Sequence, residues 1–144
     1  MNRVRRVYLP LTPGLVAQLD REGALATPMV GFAVTPRLEQ AAAGDDTEEL
    51  EYAALLAAAT YCTEQRGVDR WRRVVAAADL PPSSVAEPGD LLEARLSQIR
   101  VIEPVLRRHV VSFHIDERPS GSSDVDLMWF DATELAMVAE LASG

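Results

Sequence analysis

Twice in this chain a short run of strand-forming residues is followed at once by threonine and proline, in RVYLPLTPGLV and in GFAVTPRLEQ. A threonine ahead of a helix accepts a hydrogen bond from amides that the first turn leaves free. Proline at the first helical position gives up an N–H that would be unpaired anyway. Strand-to-helix junctions are therefore expected at Thr12-Pro13 and Thr35-Pro36. Leu15, Val16 and Leu19 give the first helix an apolar stripe that stops near Gly23, and Leu38 lies in the second. The recurrence of strand, Thr-Pro and helix points to a βαβ arrangement, with consecutive parallel strands joined by a right-handed helical crossover. The echo is too short to be an internal repeat.

GDDTEELEY is acidic without the alternating ligands and central glycine of a calcium loop. Asp46 and Glu49 instead have the spacing of a capping box, and carboxylates suit the positive end of a helix. That helix is expected to run to about Arg66, before Gly67. Between Glu51 and Glu64 it carries no charge, and YAALLAAATYC is apolar nearly all round, so it is covered on several sides or shared with another subunit. WRRVVAAADLPP reads as a central strand from Arg73 to Ala78, closed by Asp79 and stopped by Pro81-Pro82. Further strands are expected at Phe32 to Val34, Ile99 to Ile102, Val110 to Ile115 and Leu127 to Phe130. SSVAEPGD and RPSGSSDVD read as polar surface loops, the second mobile. Asp131 and Glu134 repeat the capping-box spacing ahead of a closing amphipathic helix with Leu135, Val138 and Leu141. The expected fold is a single α/β domain over residues 1–144, a mixed sheet of five or six strands covered by about four helices.

A length of 144 residues, with 48% hydrophobic and 25% charged content, fits one ordinary folded domain with its own core. The net charge of −8 disfavours a nucleic-acid partner, which needs a concentrated basic footprint. All the basic side chains are arginines. The clusters at Arg3, Arg5 and Arg6, at Arg70, Arg72 and Arg73, and at Arg107 and Arg108 each flank an apolar run, and read as charge that keeps strands soluble. Cys62, the only cysteine, lies in the apolar helical run and reads as a small buried hydrophobe. The start MNRVRRVYLP has no apolar stretch of signal-peptide length, and no window approaches the ~20 apolar residues of a membrane span. A cytoplasmic location without membrane partners is expected.

For chemistry, the informative stretch is HVVSFHIDE, where His114 and Asp116 fall two residues apart on one face of a strand whose other face carries Phe113 and Ile115. In an open α/β sheet ligands bind beyond the carboxyl ends of the strands, which directs attention to Asp79 and Asp116. Asp79, His114 and Asp116 are the candidate ligand-binding residues, as a divalent-metal site or a general-base pair. The competing reading makes His114 a hydrogen-bonded structural residue. His109 belongs to the turn before the strand. There is no phosphate loop, dinucleotide glycine fingerprint, HExxH or GxSxG motif, so no catalytic residue, metal or cofactor is assigned.

RVYLPLT, FAVTPRL, GDDTEELEYAALLAAA, RRVVAAAD, VVSFHIDE and LMWFDATEL, in this order, resemble a family of small uncharacterised proteins of high-GC Gram-positive bacteria, DUF6912. The resemblance implies a cytoplasmic single-domain α/β protein and contributes no catalytic residue. The function expected is that of a non-catalytic binding or regulatory protein acting through protein contacts, as a homodimer or with a partner engaged through residues 52–62. The alternative is a small, metal-assisted enzyme using Asp79, His114 and Asp116.

Overall fold

In the computed structural model, which describes residues 3–124 and 126–144, both Thr-Pro junctions form. Met1 and Asn2 of the N-terminal stretch, and Val125 of the second polar loop, lie outside the described residues. The Thr12 hydroxyl accepts from the Leu15 amide, so β1 (Arg5–Leu11) passes directly into α1 (Pro13–Glu22). Gly23 ends α1 at a φ of 74°, a left-handed turn that a Cβ would strain. After β2 (Ala24–Leu25), Thr35 caps α2 (Pro36–Ala41) at the end of β3 (Met29–Ala33) in the same way. The acidic run is a helix start: the Asp46 carboxylate accepts from the Glu49 amide at 2.9 Å at the head of α3 (Thr47–Arg66). The remaining elements are β4 (Val74–Leu80), β5 (Val85–Ala86), β6 (Gln98–Val101), β7 (Val105–Leu106), β8 (Val110–Asp116), β9 (Leu127–Asp131) and α4 (Leu135–Ser143). Asp131 and Glu134 form their capping box around a 3-10 turn that leads into α4.

Seven strands make one sheet in the order β5-β6-β3-β1-β4-β8-β9, and β2 pairs with β7 separately. Every ladder is antiparallel, which corrects the mixed sheet and the βαβ crossover expected from the Thr-Pro echo. The physical reason is the connection after α1. Instead of entering the large sheet directly, the chain turns at Gly23 into β2, which pairs with β7, and only then enters β3 from the end opposite to that expected. A capped helix after a strand specifies the junction but not the direction of the next strand. The count of five or six strands is also low, because the two-residue strands β2, β5 and β7 leave no periodicity to read.

The two faces of the sheet are covered unequally. Val7, Leu9 and Leu11 of β1, Val74, Ala76, Ala78 and Leu80 of β4, and Phe113 and Ile115 of β8 form one face, packed against Val16 and Leu19 of α1 and Leu135, Val138 and Ala142 of α4. The other face carries Tyr8, Phe32, Val75 and Ala77, and one long helix covers it: Ala54, Ala58, Ala59 and Cys62 of α3 lie against these four. The alanines along α3 let the helix approach the sheet closely. Cys62 is buried as expected, and burial pushes its thiol up to about 12. Among the described residues no helix is long and apolar enough to cross a membrane.

Candidate functional site

The face covered by α3 is the face that carries the candidate residues, and its rows can be read from the strand register. Arg6 on β1 stands opposite Asp79 on β4 at one end. Tyr8, Ala77, Ser112 and Asp131 follow across β1, β4, β8 and β9. The next row is Pro10, Val75, His114 and Trp129. At the far end Asp116 pairs with Leu127 and approaches Arg73, just ahead of β4. Because β4 and β8 run in opposite directions, their carboxyl ends lie at opposite ends of the sheet. Asp79 and Asp116 are therefore about 20 Å apart along the strands, at ~3.3 Å per residue.

Each of the two carboxylates is engaged by arginine. Asp79 accepts from Arg6 Nε at 2.7 Å and from its terminal nitrogen at 3.3 Å. Asp116, 7% exposed, accepts from Arg73 Nε at 3.0 Å, from an Arg73 terminal nitrogen at 2.8 Å and from the Arg73 backbone amide at 2.8 Å. Arg66 brings a second guanidinium within 3.6 Å of the same carboxylate. Both arginines also donate to the loop after β8: Arg66 to the Ser122 carbonyl, Arg73 to those of Ser123 and Asp124. The loop expected to be mobile is thus tied to two buried cations. The reading of the arginine clusters as flanking charge is also corrected here. Arg73 is 1% exposed and forms the buried ion pair, Arg72 donates to the Leu141 carbonyl near the end of α4, and Arg6 holds Asp79.

His114 is not hydrogen-bonded to Asp116. It lies on the face opposite Phe113 and Ile115, half-buried, with its Nε2 3.5 Å from the Ser112 hydroxyl. Burial, and then the charge of Arg6, pull its pKa below the ordinary value, which favours the neutral ring. His109 sits in the 3-10 turn before β8 as expected, its Nδ1 accepting from the Leu106 amide at 3.0 Å.

His114 lines a cleft of about 280 Å³ that neither Asp79 nor Asp116 reaches. Its floor is Tyr8, Ala77, Ser112 and His114; Glu48, Glu51, Tyr52 and Leu55 of α3 form one wall, Trp129 of β9 another, and Arg6 closes an end. Two aromatic side chains stand open at this cleft, Trp129 at 60% and Tyr52 at 54% exposure. Burial, and then the charge of Glu51, raise the pKa of Tyr8. Sequence reasoning missed Tyr8 and Trp129, and reached Tyr52 only as the first residue of the 52–62 segment. Alternation in LMWFD separates Trp129 from Met128 and Phe130, but only the β8–β9 register puts it beside His114. Among the described residues no group of three His, Cys, Asp or Glu side chains could hold a metal ion. A second cleft of about 320 Å³, lined by Pro10, Leu15, Met29, Tyr61, Cys62 and Trp71 among others, has no charged residue in its lining.

A family model described as a family of unknown function, DUF6912, matches residues 5–125, from β1 through the loop after β8. No curated protein and no solved structure matches the chain.

Proposed function

We propose, for a chain that belongs to the DUF6912 family, a non-catalytic role: binding a protein partner on the half-open face of the sheet, over the first turns of α3 and the β8–β9 edge. One observation carries this reading. Trp129, in the middle of an edge strand, and Tyr52 flank the same cleft and are both more than half exposed. Aromatic side chains held open beside a polar floor are the groups that protein interfaces use as anchors. Of the large apolar residues between 52 and 62, only Tyr52 is exposed. The contacting part of that segment is therefore its first turn, while Ala54, Ala58, Ala59 and Cys62 pack on the sheet.

The enzymatic alternative has less support, since its three residues share no cleft. His114 faces one, while Asp79 and Asp116 are spent on arginines at opposite ends of the sheet. The test uses the immobilised protein and its Trp129→Ala and Tyr52→Ala variants as baits in lysate of the source cells. A protein retained by the parent and lost from both variants is expected. Equal retention on all three, or none on the parent, would overturn the reading.

A further inference from the structure

We infer that the group seated in the Tyr8–His114–Trp129 cleft is an arginine side chain carried on an exposed segment of the partner; this rests on the protein-binding role proposed above. The charges around the cleft do not cancel. Arg6, the one cation among the lining residues, already donates two hydrogen bonds to Asp79, at 2.7 and 3.3 Å, and stands against two glutamates. His114 is held toward its neutral form by burial and by Arg6. Glu48 and Glu51 remain, and among the described residues neither forms an ion pair. The field of Glu51 reaches the floor, where it contributes to raising the pKa of Tyr8.

The walls select among cations. Trp129 and Tyr52 are exposed aromatic side chains at the cleft, and a cation over an aromatic face is attracted to the ring quadrupole, tryptophan being the strongest partner. A guanidinium is planar and weakly hydrated, stacks on aromatic rings and can fork its N–H donors onto a carboxylate, which an ammonium does less well. The floor supplies a further acceptor: Ser112 is 4% exposed, lines the cleft, and among the described residues its hydroxyl has only the 3.5 Å contact with His114. An acidic or phosphorylated segment would meet Glu48 and Glu51, so the net charge of −8 and the local charge favour the same sign of partner.

The probes are three capped tripeptides, Gly-Arg-Gly, Gly-citrulline-Gly and Gly-Glu-Gly, titrated by ¹H–¹⁵N NMR into the full chain and into Glu51→Gln and Trp129→Ala. Citrulline keeps the shape of arginine without its charge. The arginine peptide is expected to give saturable shifts at the Trp129 indole N–H and at the amides of Ser112 and His114. Binding should be at least tenfold weaker for the citrulline peptide, similarly weakened by Glu51→Gln, and absent for the glutamate peptide. Equal binding of the citrulline peptide, or indifference to Glu51→Gln, would overturn arginine recognition and leave partner docking standing. No shift in the cleft with any peptide would also overturn it, while the bait comparison with Trp129→Ala and Tyr52→Ala decides the docking reading separately.

Discussion

Asp79 and Asp116 are the same side chain in two environments, and they should behave differently when neutralised. The Arg6–Asp79 pair is about one-third exposed on both sides, where solvent screens the charges and such pairs contribute ~0–1 kcal/mol. Asp116 is buried between two buried guanidiniums, and removing its charge leaves Arg73 and Arg66 facing each other without a counter-ion. Breaking a buried pair in this way costs ~3–5 kcal/mol. Urea denaturation at neutral pH should therefore show a large loss of stability for Asp116→Asn and almost none for Asp79→Asn; similar losses would contradict the difference in environment. His114 supplies a pH test. Its folded pKa lies below the ordinary value of ~6.5, so just beneath that value the unfolded chain binds more protons than the folded one. The stability it contributes is present above about pH 6.5 and is lost as pH falls through the folded pKa. His109 is shifted in the same direction by burial and by Arg108. The melting temperature of His114→Gln should consequently fall less than that of the parent between about pH 7 and 5, with His109 present in both. Parallel curves would mean that His114 charges without opposition.

At the scale of elements, local chemistry was readable wherever one residue type has one job. Thr12, Thr35 and Asp46 are capping residues in the positions their neighbours implied, because a cap depends on three or four consecutive residues. The strands from 74, 110 and 127 were readable for a similar reason, each being long enough to show a burial pattern. Strand direction was not, since it depends on how the chain returns through β2 and its pairing with β7, a contact between residues 24 and 106. The stretch 91–96 illustrates a second limit: LLEARL has helical spacing yet forms turns, with Leu92 and Leu96 exposed and therefore no core to hold a helix. Two glycines test the element boundaries. A Cβ on Gly31 in β3 would lie 2.9 Å from Val7 Cγ1 and 3.0 Å from Ile99 Cδ1, on the strands to either side. Gly31→Ala should therefore destabilise by ~1–3 kcal/mol. In the first turn of α1, a Cβ on Gly14 would meet nothing closer than Thr12 Oγ1 at 3.8 Å, so Gly14→Ala should stabilise by ~0.4–1 kcal/mol. Thermal melts of the two variants should move in opposite directions.

For the whole molecule, the feature that matters is the unequal covering of one sheet. Two helices, α1 and α4, close one face, whereas α3 alone lies over the other and leaves the β8–β9 end open. The sequence carried the components of that opening but not its location: alternation puts His114 opposite Phe113, yet whether Trp129 or Asp79 is its neighbour follows only from strand order. Phe113 and Trp129 make the asymmetry measurable, since they stand on adjacent strands one register position apart and point to opposite faces. Phe113 is fully buried in the larger core, and truncating a buried phenylalanine costs ~3–5 kcal/mol. Trp129 is larger but 60% exposed, and a substitution at such a surface position usually stays within ~0.5 kcal/mol. Denaturation should accordingly show Phe113→Ala strongly destabilised and Trp129→Ala close to the parent. The shifts caused by the arginine peptide should vanish in Trp129→Ala, and in the parent they should weaken as salt shortens the Debye length from ~10 Å at 0.1 M toward ~3 Å at 1 M. If Trp129→Ala instead unfolded the protein as readily as Phe113→Ala, the indole would be part of the core, and the open face would be a packing feature without a binding role.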